Sequence, residues 1–209
     1  MKSEKQYNKS KALLFIICGI LSFALAFIIV MNNLQENLSA ANTSVDAAEH
    51  IIEYIKNNDD ADSFDLKHSR EIKTIEYEGH NYMGVLSIPS INLTLPIIAD
   101  YDFSYLTIAP CLYYGNPALN NAIICAHNYK SHFGPVRRVP TGTQVFLSTV
   151  SGDNYQYIVE NIELIGSRDG IVLVTENPGL TLFTCTNGGG ARYAIRCSLV
   201  NNDIDNLFE

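Results

Sequence analysis

The sequence predicts a mostly β protein, a closed or nearly closed barrel preceded by an N-terminal transmembrane helix and a short helical stalk. Three observations predict it. Residues 12–31 form an uncharged apolar run of 20 residues, long enough to cross a bilayer as a helix. Behind it, Val45, Ala48, Ile51, Ile52 and Ile55 recur at helical spacing. From about residue 75 the pattern changes to short runs rich in β-branched and aromatic residues, separated by turn signals, and many short strands with few helices suit a barrel. A length of 209 residues with 47% hydrophobic content fits one domain plus an appendage.

Taken in order, the first element is a tail, residues 1–11, carrying Lys2, Lys5, Lys9 and Lys11 against Glu4. Lysines flanking an apolar helix stay on the cytoplasmic side, so the anchor at 12–31 is expected to be single-pass type II, with everything from Asn32 onward outside. The run exceeds the apolar core of a signal peptide, and Leu38-Ser39-Ala40 is a poor cleavage site, so the anchor is read as uncleaved. Four of the 14 basic residues and one of the 22 acidic ones precede the anchor, which leaves 10 basic against 21 acidic residues outside and excludes a nucleic-acid partner.

Residues 32–73 read as a stalk containing one short amphipathic helix, with Thr43 or Ser44 as its N-cap. The helix is expected to pack on the domain as a stalk rather than to lie over an active site. Asn57-Asn58-Asp59-Asp60-Ala61-Asp62 is the most linker-like piece. The domain proper is therefore expected at 74–209, and a chain starting near Asn57 is expected to be soluble and active. Strands are predicted at 82–88, 93–98, 121–126, 143–147, 155–165, 180–185 and 192–200. Residues 165–180 form a connection with no helical pattern of its own.

The strand ends carry the chemistry. Leu180, Leu182 and Thr184 alternate with Thr181, Phe183 and Cys185, and Asn187-Gly188-Gly189-Gly190 permits a tight reversal into the strand that begins near Arg192. Residues 121–126 form another apolar strand, leading into His127. A cysteine, a histidine and an arginine at three strand ends supply a nucleophile, an acid–base group and a clamp for an oxyanion or substrate. Their polar neighbours Asn128, Thr184 and Thr186 are candidate substrate contacts.

Thr181-Leu182-Phe183-Thr184-Cys185 with Arg192 resembles the TLxTC…R signature of the sortases, cysteine transpeptidases of Gram-positive cell surfaces. Ala126-His127-Asn128 resembles their histidine motif, with Ala126 where many members have Gly. The run from Tyr82 through Ile91 to Leu95-Pro96-Ile97 resembles their first strands, so the likeness spans roughly 82–200 in the family's order. The resemblance implies an eight-stranded barrel with its site at one end, and a groove flanked by 165–180. It also implies a mechanism in which Cys185 attacks an LPxTG-like sorting signal between Thr and Gly to form a thioacyl enzyme. His127 would protonate the departing amine and Arg192 would hold the backbone or oxyanion. The acceptor it implies is a peptidoglycan stem-peptide amine or, in a polymerising variant, a pilin lysine; the lack of a second hydrophobic tail favours wall anchoring.

Rival readings stay open. Cys18 lies in the anchor, and Cys111, Cys125, Cys185 and Cys197 outside could pair as two disulfides in three connectivities. Cys125 and Cys197 sit inside predicted strands, where a thiol acts as a small hydrophobe. His132 competes with His127, whereas His50, His68 and His80 read as solvated loop histidines. No cofactor or metal is expected: the triple glycine lacks the Lys-Ser/Thr of a phosphate cradle, there is no CxxC or HxxxH pair, and Asp100, Asp102 and Glu176 read as scattered surface carboxylates. A papain-like peptidase places its cysteine before its histidine at a helix start, the reverse of this order. A non-catalytic, membrane-tethered barrel that binds a wall ligand remains the alternative function.

Overall fold

The computed structural model describes residues 2–58, 71–166, 174 and 179–201. The linker-like residues 59–62, most of the 165–180 connection, His68 and Glu176 lie outside this set. Helix α1 (Lys2–Asn58) runs for 57 residues where the sequence predicts an anchor, a linker and a separate short helix. Up to Leu38 it belongs to a unit of its own. There its large apolar side chains face outward, Phe23 with 77% of its surface exposed, and the helix is long and apolar enough to cross a membrane.

From Ser39 the helix belongs to the second compact unit, together with the strands. Ala40, Ser44, Ala47, Ala48, Ile51 and Ile55 are all buried, one stripe at helical spacing. Val45, which the pattern also nominates, is exposed. The expected N-cap is overturned because the helix runs straight through Thr43 and Ser44. Ser44 instead lies on the buried stripe and spends its hydroxyl on the barrel's loops.

Among the described residues nine strands follow: β1 (Ile75–Tyr77), β2 (His80–Ile88), β3 (Leu93–Ile98), β4 (Cys111–Tyr114), β5 (Ala122–Cys125), β6 (Gln144–Thr149), β7 (Asn154–Gly166), β8 (Leu180–Cys185) and β9 (Ala191–Asn201). They form one sheet in the order β1-β2-β3-β4-β5-β8-β9-β7-β6, and a further β2–β6 pairing joins the ends. Eight strands thus close into a barrel, and β1 extends β2 as a hairpin arm outside the closure. Closure depends on Gly84, which pairs with Thr149 across the β2–β6 seam, because a Cβ there would collide with the Ser148 carbonyl. Two strands are missing from the sequence pattern, the three-residue β1 and β4, whose four residues between Pro110 and Gly115 are too few to show a period of two. Strand β4 meets β3 at the single parallel pair Ile98↔Cys111 and is held by β5 on its other side.

Alternation along the strands sorts side chains into two apolar sets. Leu86, Ile88, Ile97, Ile124, Leu147, Tyr157, Leu182 and Ile195, drawn from seven strands, fill the barrel interior. Val85, Ile98, Cys111, Ile123, Cys125, Phe183 and Ala194 face the other way and pack with Ala47, Ile51 and Ile55 of α1. The helix therefore covers one outer face of the barrel. Burying Ile51 and Ile55 alone contributes about 1.5–3 kcal/mol each, and the strand residues beneath them gain cover as well. That is comparable with the total stability of a domain, on the order of 5–15 kcal/mol. The compact unit begins at Ser39, ahead of the expected boundary at 74, and a chain starting near Asn57 would lack Ala47, Ile51 and Ile55 of its buried apolar set.

The helix also reaches a buried histidine. Ser44 Oγ donates to the Ile108 carbonyl at 2.6 Å and lies 2.9 Å from His132 Nε2. Its single proton is used on Ile108, so the network assigns the ring proton of His132 to Nε2, which donates to Ser44. His132 is fully buried, and burial, with His127 nearby, pushes its pKa down from 6.5 to about 4 despite the backbone carbonyls around the ring.

Two outcomes follow from this packing. A chain beginning at Ser39 should elute as a monodisperse species in gel filtration and melt cooperatively, whereas one beginning at Asn57 should aggregate; a soluble, cooperatively melting shorter chain would show the helix to be dispensable. The depressed histidine sets a pH dependence. The unfolded chain takes up this proton first, so the contribution of neutral His132 is complete above about pH 6.5 and is lost as pH falls toward about 4. Urea unfolding of the full chain in detergent micelles should lose on the order of 3 kcal/mol more over that interval than His132→Gln does. Identical pH profiles for the two proteins would sink the assignment of a buried neutral ring.

Candidate active site

Parallel pairing of β5 with β8 sets Ala122 opposite Leu180, Ile123 opposite Thr181, Ile124 opposite Leu182 and Cys125 opposite Phe183. His127 lies two residues beyond Cys125, and Cys185 two residues beyond Phe183. With a side-chain period of two, both continue the outer row that already holds Cys125 and Phe183. Neighbouring strands lie about 4.8 Å apart, and the Ala126 amide still donates to the Phe183 carbonyl at 3.2 Å, so the two chains leave the sheet side by side. On the other flank, antiparallel β9 sets Arg192 directly opposite Cys185. Histidine, cysteine and arginine thus occupy adjacent strand ends on one face, and His127, Cys185 and Arg192 are all half-buried.

The loops that carry these residues are held by their own hydrogen bonds. Beyond Cys185, Thr186 donates its amide to the Ala191 carbonyl at 2.9 Å, and its hydroxyl engages both the carbonyl and the amide of Ala191. Beyond His127, the Phe133 amide donates back to the His127 carbonyl at 3.1 Å and Gly134 donates to Tyr129 at 2.9 Å. Gly134 is required in this wrap, since a Cβ there would sit 2.6 Å from the Asn128 carbonyl. The two loops are then tied together: the Asn187 side-chain carbonyl accepts from Asn128 Nδ2 at 3.2 Å and from Arg137 Nη1 at 3.4 Å.

Of the three candidate substrate contacts, one is buried and two engage neighbouring loops. Thr184 shares the inward face with Leu180 and Leu182 and has no exposed surface, so in this conformation its hydroxyl cannot meet a peptide lying outside. Thr186 locks the cysteine turn, and Asn128 bridges to Asn187. His132 does not compete with His127, because it is sealed against α1. Among the described residues the cysteines are free thiols; burial raises Cys111 and Cys197 to about 12 and pushes Cys125 up further, which leaves Cys185 as the part-exposed thiol of the barrel. No group of three His, Cys, Asp or Glu side chains among the described residues is arranged to hold a metal. Asp102 accepts from the amide and hydroxyl of Ser104.

An aromatic wall stands beside the three residues, unannounced by any periodic signal. Phe103 meets the His127 ring edge-on at 5.5 Å, and Tyr129 packs against the same ring at a tilt, at 4.9 Å. Tyr113 links Phe183 to Tyr101, at 5.2 and 5.0 Å. Burial raises the Tyr101 pKa, and the Arg192 charge pulls against that rise, which puts the guanidinium within electrostatic reach of this wall. Arg196, four residues along β9, stands opposite Thr181 instead and bonds to Thr181 Oγ1 at 3.0 Å and to Glu163.

The family profile for the sortase domain matches residues 86–200. No curated protein sequence matches the chain. Among solved structures, the Clostridium perfringens Sortase D5 transpeptidase superposes with a TM-score of 0.59 at 21% identity, covering 74% of this chain and 98% of that one. Streptococcus pneumoniae Sortase C gives 0.59 at 19% identity, over 75% and 97% of the two chains. A lid mutant of Sortase A from Corynebacterium diphtheriae gives 0.54 at 19% identity, over 77% and 97%. At such identities the structures speak for the shared fold, and the profile, which spans more than half of the residues and includes all three strand-end groups, shows that the chain belongs to the sortase family.

Proposed function

We propose that this sortase is a membrane-anchored cysteine transpeptidase that cleaves LPxTG-like sorting signals and transfers the surface protein to a cell-wall amine. The observation that carries the reading is the register that aligns Cys185 with Arg192 on one side and with the strand leading to His127 on the other. In this reading the lysine-flanked N-terminal segment stays cytoplasmic, the apolar part of α1 crosses the membrane of a Gram-positive cell as a single-pass type II anchor, and the barrel lies outside.

The chemistry assigns one role to each group. The Cys185 thiolate attacks the carbonyl between Thr and Gly, and the oxyanion develops where the Arg192 fork donates two hydrogen bonds. The tetrahedral species collapses as His127 protonates the departing amine, which leaves a thioacyl enzyme. The incoming amine, from a peptidoglycan stem peptide, gives its proton to His127 and attacks the thioester, restoring the thiol. Arg196 has no such part, since four residues of strand place it about 13 Å further along β9.

The cysteine assignment is tested by substitution. Cys185→Ala should abolish cleavage of a sorting-signal peptide, whereas Cys111→Ala, Cys125→Ala and Cys197→Ser should lower the melting temperature and leave the acylation step intact. Mass spectrometry that finds the acyl adduct on another cysteine moves the nucleophile, and no adduct at all with wild-type protein favours a non-catalytic wall-binding barrel. A pilin lysine that outcompetes the peptidoglycan amine would identify a polymerising enzyme. The arginine assignment has its own measurement. Arg192→Lys should lose turnover by on the order of 10²-fold or more, as for removal of an oxyanion donor, because an ammonium cannot reproduce the planar fork. Arg196→Lys should turn over nearly normally with reduced stability; the opposite ranking in steady-state kinetics would place the clamp on the wrong residue.

A further inference from the structure

We infer that Ser44 and His132 are positioning residues for the acid–base histidine, so that the helix leaving the membrane segment is a working part of the active site rather than only its tether. The inference rests on the role proposed above for His127 and goes beyond it in naming what holds that ring in place.

One hydroxyl ties down the two segments whose rings pack on His127. Ser44 Oγ donates to the carbonyl of Ile108, at the end of the segment that begins near Asp102 and carries Phe103, whose ring stands edge-on to His127. The same oxygen lies 2.9 Å from His132 Nε2, in the loop whose Tyr129 packs at a tilt against the His127 ring and also touches the His132 ring at 5.5 Å. Phe133, next in sequence, is fully buried in the barrel interior and returns its amide to the His127 carbonyl. The loop is therefore pinned inward by Phe133 and outward by His132, with His127 at its start.

The contact is buried on both sides, with Ser44 2% exposed and His132 not at all, so water cannot replace either partner. Without the Ser44 oxygen the Nε2–H loses its side-chain acceptor and the Ile108 carbonyl loses the hydroxyl that donates to it. Relaxation of the two loops then falls on the residues that flank His127. Displacement by about 1 Å is enough to cost two orders of magnitude in a catalysed step. A neutral ring, consistent with the lowered pKa of His132, keeps this tie free of a second charge beside His127.

The test uses the full chain in detergent micelles, with a fluorogenic Leu-Pro-Glu-Thr-Gly peptide for kinetics and histidine-labelled protein for NMR of the His127 ring. Ser44→Ala and His132→Leu should each lower kcat on the order of ten- to a hundredfold, with KM within about twofold, and should shift the His127 ring resonance. His132→Gln keeps an N–H donor for Ser44 and should retain most of kcat and the wild-type resonance. Unchanged kcat with an unmoved resonance in Ser44→Ala overturns the inference, as does a loss in His132→Gln equal to that in His132→Leu. Should His132→Leu fail to fold, Ser44→Ala carries the decision. If wild-type protein cleaves no peptide, the transpeptidase reading fails on its own account, and the resonance alone then decides the coupling: a shift in Ser44→Ala upholds it and no shift ends it.

Discussion

Everything at the candidate site depends on the parallel pairing of β5 with β8. Two strands that run the same way end at the same rim, so their terminal residues become neighbours without any local sequence contact. A register slip of one residue would turn Cys185 inward and bring Thr184 out, because alternate side chains face opposite sides. The register is protected by what lies behind it. Ala122, Ile124, Leu180 and Leu182 are all buried in the barrel interior, and a slip would exchange them for the row that now faces α1.

Closure of the barrel and docking of the helix are two consequences of the same alternation. Inward residues meet one another across the barrel, which Gly84 allows to shut. Outward residues on β2 to β5, β8 and β9 would present an apolar patch to water, and the 39–58 part of α1 covers it with small and branched side chains: Ala40, Ala47, Ala48, Ile51 and Ile55. The small residues let the helix approach closely. The one polar residue on that stripe, Ser44, is compensated by a carbonyl and a ring nitrogen, as a buried hydroxyl must be.

The site itself is assembled from loops whose side chains satisfy one another. Asn128 and Arg137 converge on Asn187, Thr186 closes on Ala191, and Gly134 lets the histidine loop wrap tightly. Such bonds restrict where the three strand-end groups can move, and a preorganised constellation is what electrostatic stabilisation of an oxyanion needs. Surface exposure then separates the thiols: three are sealed in apolar packing, and Cys185 alone of the four beyond the apolar N-terminal run reaches a polar turn.

The sequence by itself determined the apolar run, seven of the strands, and the cysteine, histidine and arginine at the strand ends, because each is written in local alternation or in a short motif. It also carried the helical stripe at Ala48, Ile51 and Ile55, though not the exposure of Val45, since periodicity cannot say where a stripe ends. Three-residue β1 and four-residue β4 escaped because a period of two needs more residues to show. Only the tertiary structure decided that Thr184 turns inward, that Asn128 and Thr186 serve neighbouring loops, and that the folded unit starts near Ser39. The clearest case is Ser44 with His132, 88 residues apart. Serine in that position reads as a cap and histidine in a loop as a solvated ring or a rival base; their pairing is a contact between a helix face and a barrel loop, and no local pattern in either segment encodes the partner that the other supplies.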